Sequence, residues 1–187
     1  MDFKKRMQEH QVAVNGLIND PVQLAAIEKM AMICKAAIRN GHKILFCGNG
    51  GSAADSQHIA AEFVGRFVKE RCGLPAIALT TDTSILTAIG NDYGYDEVFR
   101  RQVEALGRKG DVLIGISTSG NSGNVVKAFE QAAKQGITTL AFTGAKESKM
   151  SELADVTIRV PAPVTARVQE CHIMIGHIIC EAIDEDY

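Results

Sequence analysis

The chain has 187 residues, 46% of them hydrophobic, with 20 basic against 22 acidic side chains and a formal net charge of -2. That size and composition suit one domain spanning 1–187 with a substantial core, and the near-neutral balance argues against the clustered Lys and Arg of a nucleic-acid footprint. A membrane span of roughly 18 apolar residues is missing, MDFKKRMQEH lacks a signal-peptide core, and five cysteines without a C-x-x-C pair suggest reduced, buried thiols, so a cytoplasmic protein is expected.

Helical periodicity runs over 2–18 and 22–39, interrupted at Asn19-Asp20-Pro21, where Asp20 can cap a helix whose first residue is proline. An apolar run at 43–47 ends in Gly48-Asn49-Gly50-Gly51 and leads into a helix over 52–67. A second strand at 75–79 precedes two short helices, around 84–89 and 95–106. A third strand at 111–116 opens into Ser117-Thr118-Ser119-Gly120-Asn121-Ser122 and a helix over 124–135. Strands at 138–142 and 156–160 and a closing helix over 164–184 complete the chain. Short apolar strands alternating with longer helices predict an α/β protein with a parallel sheet covered on both faces, in three layers, preceded by a helical extension.

Two strand-to-helix turns carry the chemistry. After the first, His58 and Glu62 are four residues apart and share a helix face, so an imidazole and a carboxylate point together at the mouth of a glycine turn. CGNGGS has neither the lysine of a P-loop nor the glycine spacing of a dinucleotide fingerprint. After the third strand, Ser117, Thr118, Ser119 and Ser122 put four hydroxyls at a helix N-terminus, a pattern that suits a phosphate monoester better than capping alone.

The segments CGNGGSAADSQHIAAEFVGR, PAIAL, IGNDYGYDEVF, VEALGRKGDVLIGISTSGNSGNV and TARVQECHIMIGHII together resemble the sugar isomerase (SIS) family over essentially the whole chain. The resemblance implies a three-layer SIS fold with a five-stranded parallel sheet flanked by helices, and a homotetramer. It further implies interconversion of sedoheptulose 7-phosphate with D-glycero-D-manno-heptose 7-phosphate, feeding the heptose of bacterial lipopolysaccharide or capsule. Carried over by position, it implies one Zn(II) per subunit on His58, Glu62, Gln169 and His177. It places substrate contacts at Asn49, Gly50, Gly51, Glu62, Asn91, Asp92, Ser117, Thr118, Ser119, Ser122 and Gln169. Ala53-Ala54 and the short segment Ala162-Pro163-Val164 depart from the pattern, outside this set.

Moving a proton between C1 and C2 of a sugar through an enediol requires a base near carbon and an acid or metal near the oxygens. Glu62 suits the base and His177 the acid. Gln169 and His177, eight residues apart, are separated by roughly 12 Å of helix rise, so reaching one ion requires their side chains to lean together. His172 is either a packed helix histidine or a site residue, and His10 and His42 read as surface residues. A rival reading comes from SAADSQH and TDTSILTAI, which resemble the DnaA initiator-associating group, a tetrameric interaction module of the same fold. A carboxylate and an imidazole aimed at a phosphate site favour the enzyme.

The first two helices carry Phe3, Met7, Val14, Leu17, Ile18, Leu24, Ile27, Met30, Ala31 and Ile38 on apolar stripes. Residues 1–40 are therefore expected to pack on a partner subunit in a central helical bundle. The closing helix, apolar at Val168, Ile173, Ile175, Ile178 and Ile179, is expected to join them.

Overall fold

Capping chemistry sets the first two elements of a computed structural model that describes residues 1–187. Asp2 accepts from Lys5 N at the start of α1 (Phe3–Ile18). Asp20 accepts from Val22 N and Gln23 N ahead of α2 (Pro21–Arg39), with proline in the first turn where its missing N–H costs nothing. The rest alternates: β1 (Ile44–Gly48), α3 (Gly51–Val64), β2 (Ala76–Ala78), α4 (Thr83–Tyr93), a 3-10 turn at Tyr95–Glu97, α5 (Val98–Leu106), β3 (Val112–Ile116), α6 (Gly123–Gln135), β4 (Thr138–Gly144), α7 (Lys149–Leu153), β5 (Val156–Val160) and α8 (Thr165–Asp184).

All five strands are parallel, in the order β2-β1-β3-β4-β5. The period of two along the buried central strands divides their side chains between two cores. Ile44, Phe46, Val112, Ile114 and Ile116 join the core formed with α1, α2, α3 and α8, whereas Leu45, Cys47 and Leu113 join the core formed with α5, α6 and α7. The connections leaving β1 and β3 therefore turn to opposite faces. Between those two strand ends, paired through Gly48 and Ile116, an open sheet leaves a crevice where ligands bind.

Three expectations are adjusted. The helix expected over 52–67 stops at Val64, because Gly65 breaks it and the following loop is held elsewhere. A helix at Lys149–Leu153, too short to show periodicity, is set by a capping box between Ser148 and Ser151. The apolar stripes of the first two helices are only partly uncovered: Leu17, Met30, Ala31 and Ile38 are buried in this chain's own core, while Phe3, Met7, Ile18 and Leu24 are exposed. The sheet face accommodates more of α1 and α2 than its five strands suggested, and on α8 Val168, Ile175 and Ile179 likewise face inward. No helix is long and apolar enough to cross a membrane. Four of the cysteines are buried free thiols, but Cys72 is exposed.

Candidate active site

The site begins where β1 ends. A Cβ on Gly48 would lie 2.8 Å from the Ser52 carbonyl oxygen and 2.9 Å from that of Ile116, so only glycine lets the chain turn between the two strands. Gly50 follows with φ of +55°, a conformation that favours glycine, and precedes α3 without a side-chain cap. The Asn49 amide pairs reciprocally with that of buried Asn124, both bonds 2.8 Å, and its Oδ1 also accepts from the Tyr95 hydroxyl at 3.2 Å. Asn124 stands on the first turn of α6, so this pair ties the glycine turn to the serine loop.

Beyond the turn, α3 and α8 lie side by side. The Gln169 amide lies over Gly51, where a Cβ would be 2.6 Å from its Nε2. Gly176 crosses Ile59 so closely that any side chain there would collide with it. This close approach brings His58 Nε2 to 2.9 Å from His177 Nε2, and to 3.3 Å from Glu62 Oε1. The ligand atoms of His58, Glu62 and His177 all lie within 4.8 Å of one another. Phe67 stacks on the His177 ring, centroids 5.4 Å apart. Asp55 lies one turn before His58, with a buried Oδ2 that has no partner. Burial pushes its carboxyl up to about 6, against the opposing pull of His58.

The serine loop is organised as its residue types demand. Ser122 occupies the N-cap place of α6, yet its hydroxyl caps nothing in the helix; it meets the Ser117 hydroxyl at 2.9 Å. The Ser119 hydroxyl lies 3.4 Å from that of Ser117 and accepts from Asn121 N. Gly120, with φ of +64°, packs so tightly under Ser148 that a side chain has no room. Thr118 and Ser119 line a cavity of about 640 Å³ with Gly144, Lys146 and Thr165. Asn91 donates to Asp92 on the exposed last turn of α4.

Residues 17–144 match the SIS domain family. The phosphoheptose isomerase of Burkholderia pseudomallei (strain 1710b) is 54% identical over 176 residues, covering 94% of this chain and 89% of that protein. That of Aliarcobacter butzleri is 59% identical, covering 97% and 95%. The chain belongs to the phosphoheptose isomerase family. The solved structure of a phosphoheptose isomerase from Neisseria gonorrhoeae is similar at a TM-score of 0.87 and 46% identity, covering 98% of this chain and 95% of that one.

In this chain, the two imidazoles and the carboxylate of His58, His177 and Glu62 form a donor set of the kind Zn(II) accepts. Bonds of about 2.1 Å to a tetrahedral ion put ligand atoms about 3.4 Å apart; the His58–Glu62 separation of 3.3 Å matches, and the His58 and His177 nitrogens at 2.9 Å need only part slightly, so the residues fit a metal. Gln169 comes from the same helix as His177, eight residues earlier and beside Gly51. Several neighbours escape a reading of the sequence. Asp55 falls on the helical face of His58 and Glu62 at spacings of three and seven, a detectable signal. Asn124, Tyr95 and Phe67 act through contacts between distant segments, which one sequence does not display. His172 is fully buried, with Nε2 3.1 Å from the Thr143 carbonyl oxygen, so it is a packed histidine of α8. His10 and His42 are half-buried rather than free on the surface.

Proposed function

We propose that this protein is an isomerase that converts sedoheptulose 7-phosphate to D-glycero-D-manno-heptose 7-phosphate. The observation that carries the reading is a His58–Glu62–His177 cluster between α8 and the helix that leaves the glycine turn, with that turn tied to the start of α6 and its serine loop through the Asn49–Asn124 pair. The relatives named phosphoheptose isomerase, 53–60% identical over most of their length, support it. The loop hydroxyls and the N-terminus of α6 hold the phosphate, which fixes the sugar's far end. Asn49, Gly50, Gly51, Asn91, Asp92 and Gln169 orient the chain of hydroxyls. Glu62 takes the proton from C1 and returns it to C2, and His177 moves a proton between the two oxygens. His58, Glu62, Gln169 and His177 would hold one Zn(II), which when bound polarises the carbonyl and stabilises negative charge on oxygen.

The reading extends to a cytoplasmic homotetramer that supplies heptose for lipopolysaccharide or capsule. A non-catalytic interaction module of the DnaA initiator-associating type is disfavoured, because assembly alone gives no reason to bring two imidazoles and a carboxylate together beyond the glycine turn. Incubating the purified protein with sedoheptulose 7-phosphate, with and without a chelator, tests substrate and metal together. Turnover is expected, lost on chelation and restored by Zn(II). Glu62→Gln preserves shape but removes the proton acceptor, and should lower kcat by about 100-fold or more. Absence of turnover in the metal-loaded parent overturns the function, and near-parental turnover in a folded Glu62→Gln protein removes Glu62 as base.

A further inference from the structure

Beyond the site, Arg71 and Asp184 form an ion pair whose two side chains are each only 2% exposed. Such burial is costly unless every polar atom is used, and here nearly every one is. Arg71 Nε donates to Asp184 Oδ1 at 2.6 Å, and Asp184 Oδ2 accepts from Val68 N at 2.7 Å and Lys69 N at 3.0 Å. Arg71 Nη2 donates to the carbonyl of Glu62 at 2.8 Å, and Nη1 to those of Phe63 and Cys72 at 2.9 and 3.0 Å. Two carbonyls of the last turn of α3, those of Glu62 and Phe63, which have no partners within the helix, are thus capped by a guanidinium anchored to the last turn of α8.

Three consequences converge on the cluster. Glu62 contributes its own carbonyl to the clamp, so the turn that aims its carboxylate is held from behind. Asp184 is seven residues, two helical turns, beyond His177 and therefore on the same face of α8. The loop pinned at Val68 and Lys69 presents Phe67, whose ring stacks on His177.

We propose that Arg71 and Asp184 are positioning residues, a buried clamp that fixes Glu62, His177 and the Phe67 ring relative to one another. The proposal rests on the isomerase reading for its kinetic consequence and on geometry alone for its structural one. Arg71→Lys keeps the charge but loses the planar fork, and Asp184→Asn keeps the shape but sets an amide N–H against donors.

In both variants kcat for sedoheptulose 7-phosphate should fall by about 10-fold or more through misplacement of the reacting groups. KM should stay within about 2-fold, because the serine loop is held by other contacts. In histidine-labelled protein, the His177 ring resonances should move as the Phe67 stack is lost. Asp111→Asn is the control: it disrupts the Lys43–Asp111 pair at the opposite end of the sheet, and should lower thermal stability while leaving kcat and the His177 resonances unchanged.

Folded Arg71→Lys and Asp184→Asn proteins with parental kcat and parental His177 resonances overturn the clamp. If they do not fold, Phe67→Leu decides in their place, since unchanged His177 resonances and kcat there overturn it equally. A parent without turnover sinks the isomerase reading, and the His177 resonances still decide the clamp.

Discussion

His172 and His177 stand five residues apart on α8 in opposite environments: His177 faces the cluster, whereas His172 is sealed in the core. Burial pulls the His172 imidazole from 6.5 down to about 4, outweighing the Thr143 carbonyl, which favours the protonated ring. Its Nε2 donates to that carbonyl, and its Nδ1 is buried without a partner, so a second proton would be a charge with nothing to meet it. The unfolded chain binds this proton near pH 6.5 and the folded chain only near pH 4. Stability is therefore fully present above 6.5 and falls as the pH drops through that window, by up to about 3 kcal/mol at about 1.4 kcal/mol per unit. His172→Gln keeps a donor for Thr143 and cannot titrate, so its unfolding free energy should lose about 2 to 3 kcal/mol less between pH 7 and 4. Denaturant titrations at the two pH values measure this, and equal losses in parent and variant would exclude His172 as the source. The sequence left this histidine open because helical spacing gives its face relative to its neighbours but not what covers that face.

At the scale of the element, the serine loop behaves as more than a helix start. Its N-cap residue leaves the helix uncapped and turns its hydroxyl to Ser117, which makes sense if the hydroxyls and the first N–H groups of α6 converge on an anion. Ser119→Ala and Ser122→Ala should each weaken substrate binding by about 1 to 3 kcal/mol, seen as a rise in KM. Because Ser117 bridges both, the double variant should not show the sum. Inorganic phosphate protecting parent and double variant equally against thermal unfolding would reduce the loop to a cap. These strand-loop-helix elements were readable because glycine, proline and capping residues punctuate them locally. The end of α3 was not, since periodicity continues through Phe67 while the actual stop depends on Gly65 and on Arg71 capping carbonyls from outside the helix. The same limit explains the site: the His58–Glu62 pair is local, but its meeting with His177 spans 119 positions and needed the whole fold.

For the whole molecule, the question is what closes the site. The His58 side chain is 51% exposed in the single chain, an open setting for an enediol that water must not quench. One residue on from His177, Ile178 of α8 joins Leu24 and Met32 of α2 along an apolar groove, and α1 exposes Phe3 and Met7. Association through these helices would cover the groove and bring a neighbour over the crevice in one event. Deleting residues 1–20 is a blunt test, because Ala13 and Leu17 belong to the chain's own core and their loss damages the fold as well as the assembly. Met7→Glu with Met32→Glu is sharper: the two side chains are 74% and 62% exposed, so the isolated chain tolerates the charges while a buried interface does not. Sedimentation should show the double variant dissociated, with circular dichroism of the parent and activity lost in parallel. A folded, dissociated variant that retains parental kcat would mean each chain closes its own site, and a tetramer that persists would place the interface on another face.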